Sequence, residues 1–184
     1  CGGGAGGEGE APCGIVYCHS QAETERVCDG LVGLGVAAAF YHSQVEPALK
    51  LSHQRRWLDG DIHVMVATSA FGMGVHRDSV RLVLHWTLPD SPLSLYQEWG
   101  RAGRDGRPAR CVLLYSYHDK GRVEALLRRS PHDVPTRLAK LLQVVSLCEE
   151  GDTCRRAALL TALGSAPAHP ERGGGGGGSA NSGG

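Results

Sequence analysis

Five short apolar runs punctuate the chain: GIVYC (14–18), VAAAFYH (36–42), IHVMVATS (62–69), VRLVLHW (80–86) and RCVLLYS (110–116). Most are continuous rather than alternating, the pattern of strands covered on both faces in a parallel sheet. Between them the apolar positions recur at helical spacing. The first helix opens on SQAE, with Ser20 as N-cap and Glu23 three residues on, a capping box. Its apolar face is Val27, Cys28, Leu31 and Leu34, and Gly35 ends it. A second helix runs from Pro47 through Leu51, Gln54 and Leu58 to Gly60. A third starts after Ser91-Pro92 and dissolves into GRAGRDG. Beyond Asp133 the periodicity resumes in two pieces, Leu138, Leu141, Leu142 and Val145, then Ala157, Leu160 and Leu163.

Strand and helix alternating in this way predict an α/β fold, a parallel sheet sandwiched by helices, with a short C-terminal all-helical appendage. Chemistry in such folds gathers at the C-terminal ends of the strands. Two segments fall there, ATSAFGMGVHRD after the third strand and YQEWGRAGRDGR before the fifth.

Composition changes the picture mainly at the ends. Six glycines crowd the first ten residues and eight the last twelve. Residues 1–12 and 165–184 therefore read as flexible glycine-rich segments, because they bury too little apolar surface to offset chain entropy. The foldable part divides into a main lobe, 13–130, and helices at 131–164. A start at Cys1 without Met suggests part of a longer protein. No apolar run approaches the ~20 residues of a membrane span, so no membrane partner is expected. Nineteen basic and nineteen acidic residues give a formal charge of zero, so any anion site must be local. Seven scattered cysteines, an odd number with Cys18 and Cys111 inside strand-like runs, favour a reducing compartment over a disulfide framework. Glycine- and alanine-rich flanks fit a GC-rich eukaryotic genome and hence a nucleus, or the cytoplasm if the chain is prokaryotic.

The candidate chemistry is in the arginines. Arg101 and Arg104 stand three apart among Gly100, Gly103 and Gly106. A guanidinium is always charged, and its forked donors match phosphate oxygens. The bland alternative is a solvated loop whose arginines pair with Glu98 and Asp105. With these motifs in order, YQEWGRAGRDGR, VATSAFGMGV and IVYCHSQAETE…YH over residues 14–129, the chain resembles the second RecA-like lobe of superfamily-two helicases, and the RecQ family in particular. The segment ending CRRAALLTALG resembles the start of the RecQ zinc-binding subdomain.

That resemblance implies an ATP-dependent DNA helicase moving 3′ to 5′, active in repair, recombination and replication. ATP and Mg²⁺ would be held mainly by a first RecA-like lobe of the same parent chain. Arg104 would be the arginine finger, Arg101 an assisting phosphate contact, Gln97 a positioning group and Gly74 part of the nucleotide site. Thr68, Ser69 and His42 would meet the DNA, single-stranded or branched, although Tyr41-His42 fits aromatic packing at a strand edge as well. His85 and Trp86 read as structural. The family pattern continues after AFGMG with isoleucine and aspartate; here Val75 and His76 stand there. His76 cannot act as a carboxylate acceptor, which sets this chain apart at the ribose contact and in the tuning of turnover. Cys154 matches a zinc ligand, but the three others would lie C-terminal, where His169 is the only candidate donor. Neither a GxxxxGK[ST] loop nor a DExH motif occurs, so half an ATP site is present and the chain by itself is expected to be inert. The alternatives are a non-catalytic nucleic-acid-binding or scaffolding module and a lobe of an RNA helicase.

Overall fold

The apolar runs become strands β1 (Cys13–Tyr17), β2 (Ala38–Tyr41), β3 (Val64–Ala67), β4 (Val80–His85) and β5 (Arg110–Leu113). They form one sheet in the order β2-β3-β1-β4-β5, parallel throughout. The structure is a computed structural model describing residues 13–72, 75–128 and 133–165. Central β1 is buried along its whole length, flanked by β3 and β4, which explains the unbroken apolar runs. Its side chains sort by the period of two. Cys13, Ile15 and Tyr17 join a cluster with Trp57 and Phe71, while Val16 joins Cys28 and Val66 in another.

Those two clusters seat the first helices. Helix α1 (Gln21–Gly33) begins where the capping box places it, with the Ser20 hydroxyl accepting from the Glu23 N–H at 3.2 Å. Only the middle of its expected apolar face is buried. Cys28 is covered and Val27 and Leu31 are half-buried, whereas Leu34 has become the C-cap and is 82% exposed. Helix α2 (Pro47–Asp59) ends at Gly60 in the left-handed region, φ 93°. Its anchor is Trp57, whose indole N–H reaches the Gly14 carbonyl, and Leu51 and Leu58 face outward.

Helix α3 (Pro92–Trp99) carries the sheet into the glycine-rich loop and β5. Cys111 corrects an expectation: it is exposed, because β5 is an edge strand whose first two residues are uncovered. Helix α4 (Tyr117–Arg128) has no counterpart in the sequence reading, since His118, Asp119, Lys120 and Arg122 dilute its apolar period. Helices α5 (Val134–Glu149) and α6 (Arg155–Ala162) follow. Leu141, Val144 and Val145 of α5 share a core with Leu88 and Val123. Leu142 faces outward, and α6 buries Leu159 rather than Leu160 or Leu163. No helix among the described residues is long and apolar enough to cross a membrane.

Candidate phosphate and nucleic-acid site

The arginine segment is built by α3 and the turn that follows it. Ser91 caps α3 by accepting from the Ser94 N–H at 3.1 Å, and Pro92 starts the first turn. Pro92, Leu95 and Glu98 point inward at three-residue steps, leaving Tyr96 and Gln97 exposed. The chain then reverses through Gly103 (φ 63°) and Gly106 (φ 78°). A Cβ on Gly103 would stand 2.9 Å from the Arg107 carbonyl oxygen, so this glycine is a steric requirement.

The two acids closest in sequence to these arginines are committed elsewhere. Glu98 turns into the core, its carboxylate 2.6 Å from His85 Nε2. Asp105 pairs with Arg81, whose hydrogen bond holds the carboxyl below the usual carboxylate range. The solvated loop paired with Glu98 and Asp105 is therefore not what forms.

Instead both arginines bind the segment that follows β3. Arg101 donates from Nη1 to the Gly72 carbonyl at 2.9 Å. Gly72 sits at φ 134°, and a Cβ there would lie 2.1 Å from Arg101 Nη2. Among the described residues Arg101 Nε is buried without a hydrogen-bond partner. Beside it the Tyr17 hydroxyl donates to the Phe71 carbonyl, and burial pushes that phenol above its ordinary range. Arg104 donates from Nε to the Gly100 carbonyl (3.0 Å), and its Nη1 lies 2.8 Å from His76 Nδ1. His76 Nε2 in turn lies 2.9 Å from the Asp78 carboxylate. Phe71, 1% exposed, anchors the segment by edge contacts with Tyr41 and Trp57. Gly74 lies outside the described residues.

Thr68 and Ser69 sit where expected, at the end of β3, in an open groove of about 580 Å³ shared with Ser20 and Gln21 at the start of α1. His42 is a correction. It is 3% exposed, stacked on Phe40 with centroids 5.6 Å apart, and its Nε2 lies 3.1 Å from Glu25. An imidazole so enclosed packs the strand edge and presents no donor outward. His85, 1% exposed, is structural as expected, while Trp86 is 42% exposed just past the C-terminal end of β4. Cys154 is exposed at the N-cap of α6, where the Ala157 and Arg156 backbone amides lower its thiol below the ordinary range. Among the described residues no group of three His, Cys, Asp or Glu side chains assembles for a metal, so this donor set does not fit zinc. His169 lies outside the described residues.

Sequence reasoning passed over three members of this site. Phe71 was hidden inside its motif, and Arg77 holds the Trp57 carbonyl from a segment that reads as polar loop. The third is His76, singled out only as a missing carboxylate, which meets Arg104 through its ring nitrogen.

Comparison with known proteins follows the same lines. The helicase conserved C-terminal domain family matches residues 8–106. A RecQ-like DNA helicase of Caenorhabditis elegans, blm-1, is 43% identical over 154 residues, covering 82% of this chain and 16% of the relative. The ATP-dependent DNA helicase RecQ of Pasteurella multocida is 40% identical over 152 residues, covering 82% and 24%. The chain thus spans a quarter or less of those relatives' length. Among solved structures, the Escherichia coli DEAD-box protein SrmB bound to a ribonuclease regulator aligns with TM-score 0.55 and 22% identity, over 64% of this chain and 71% of that one. Dbp5 of Saccharomyces cerevisiae bound to RNA and ADP BeF3 aligns with TM-score 0.54 and 16% identity, over 64% and 32%. At these identities the likeness is one of fold, the RecA-like α/β sheet.

Proposed function

The chain belongs to the helicase conserved C-terminal domain family, with RecQ-like relatives, and from that premise we propose that it is the second RecA-like lobe of an ATP-dependent DNA helicase. The observation that carries the reading is the pair of bridges from Arg101 to Gly72 and from Arg104 to His76. They place two permanent cations side by side, with Arg101 Nε lacking a hydrogen-bond partner among the described residues. An orphaned, buried cationic donor fits an anionic oxygen. Arg104, in the exposed part of the loop, meets the terminal phosphates as the arginine finger, and Arg101 assists. Gln97, exposed on α3 one turn before Arg101, positions the reactants from the same side.

ATP bound chiefly by the first lobe of the parent chain, with Mg²⁺, would supply the phosphoryl group for transfer to water. This chain's share is charge: two guanidinium forks that stabilise the negative charge developing as the group leaves. Thr68 and Ser69, with the hydroxyl and backbone donors at the start of α1, suit phosphates of a DNA strand lying along their groove. Because Gly72 follows Ser69 by three residues, a shift of Arg101 is passed to the strand track. The neutral formal charge limits DNA affinity to such local contacts. A 3′ to 5′ direction, a role in repair, recombination and replication, and a nuclear location in a eukaryote complete the proposal.

The test is Arg104→Ala in the full-length protein. ATP turnover should fall by roughly 10³-fold while nucleotide binding stays largely intact. Turnover near wild type would remove the finger assignment, and stimulation by RNA but not DNA would redirect the substrate.

A further inference from the structure

We infer that His76 is the positioning residue for Arg104, and that it holds the guanidinium only while its imidazole is neutral. The inference rests on Arg104 being the phosphate contact.

Arg104 has a long, exposed side chain, and among the described residues two hydrogen bonds fix it. The bond from Nε to the Gly100 carbonyl at 3.0 Å is local and orients only the near end. The bond at 2.8 Å to His76 Nδ1 is its tie to a different segment of the chain, and it fixes the far end. Without that tie, the terminal torsions would swing the fork through several rotamers.

The chemistry of the contact assigns the imidazole's state. Arginine offers donors only and keeps its proton at any working pH. Nδ1 must therefore carry a lone pair, so the ring proton sits on Nε2. That nitrogen stands 2.9 Å from the Asp78 carboxylate, an ion-pair distance between two exposed side chains. The Asp78 charge lies on the side where the proton belongs, and the other nitrogen is left to receive Arg104.

Protonation undoes this arrangement. A proton on Nδ1 removes the acceptor and sets two cations at hydrogen-bond distance. The Asp78 carboxylate faces the ring at Nε2 and the Arg104 guanidinium at Nδ1. The other neighbouring cations are occupied, Arg101 on the Gly72 carbonyl and Arg77 on the Trp57 carbonyl. Histidine is the side chain whose charge changes near physiological pH. The arginine finger of this lobe is accordingly conditional on pH where an amide or carboxylate acceptor would not make it so.

The experiment follows steady-state ATP turnover of the full-length protein from about pH 5.5 to about pH 8.5, across the imidazole range. At the alkaline end His76→Ala should lower kcat about tenfold, the size of one hydrogen bond to a charged group, with KM for ATP within about twofold. His76→Asn places a neutral oxygen near the Nδ1 position and should restore kcat. It should also hold that rate on the acid side, where wild type falls about tenfold as the ring becomes protonated. A His76→Ala variant with wild-type kcat and the same acid limb would overturn the inference. So would a ring in the 184-residue chain that nitrogen-15 spectra show protonated on Nδ1 at the alkaline end. If Arg104→Ala abolishes turnover while His76→Ala leaves it untouched, only this inference fails. If Arg104→Ala keeps turnover, the phosphate reading itself fails and takes the inference with it.

Discussion

At the scale of single residues, two glycines with different surroundings separate what backbone and space each demand. Gly72 sits at φ 134° with the Arg101 guanidinium where a side chain would be. Gly72→Ala should cost about 1–3 kcal/mol from the strained backbone alone, and it should also displace Arg101. Gly30, within α1, has nothing within 4 Å of its missing Cβ. Gly30→Ala should instead stabilise by about 0.5–1 kcal/mol. Urea unfolding of both variants measures the contrast, and equal effects would contradict the geometry. Residue-scale legibility was uneven for a physical reason. Arg101 and Arg104 announce themselves by charge and spacing. Whether His42 faces a solvent groove or Glu25 depends on which side of β2 is covered, which no local pattern encodes.

Among elements, helices were legible where their ends carry capping chemistry. Ser20, Ser91 and Gly60 all cap as their residue types require. Their buried faces were less legible, because a thirteen-residue helix against a twisted sheet covers only a narrow stripe. In α2 that stripe is Trp57, 1% exposed, while Leu51 is 49% exposed. Trp57→Ala should therefore lose about 3–5 kcal/mol of stability, since it opens a large cavity beside Phe71 and removes the carbonyl partner's packing for Arg77. Leu51→Ser should change stability by no more than about 0.5 kcal/mol. Denaturant midpoints of the two variants decide the matter, and a tolerant Trp57 would mean that α2 is held by something other than this anchor. Helix α4 escaped the sequence reading because its polar residues interrupt the period, and among its described side chains Val123, packed beneath α5, is the buried one.

For the whole molecule, the family signature and the folding unit have different lengths. The signature ends at residue 106, before β5 begins. The core that Leu88 joins is completed by Leu141, Val144 and Val145 of α5. A chain of residues 13–130 should consequently lose cooperative unfolding and expose apolar surface to a hydrophobic dye, whereas 13–165 should not. Equal cooperativity in the two would show that α5 is dispensable. Strand order could not be read from the sequence, because continuous apolar runs look alike whichever neighbours they take; only alternation with helices pointed to parallel pairing.

That parallel pairing also governs how the molecule comes together in time. Gly14 meets Val64, and Leu82 meets Arg110, so no two neighbouring strands of this sheet can close through a short turn. Every ladder must wait for a long stretch of chain to be brought round, which makes folding slow relative to helical proteins of the same size. The earliest order should belong to α1, whose start and finish are both written locally. During the interval before β1 finds its partners, the uncovered runs at 14–18 and 62–69 are the places where two nascent chains would meet each other first.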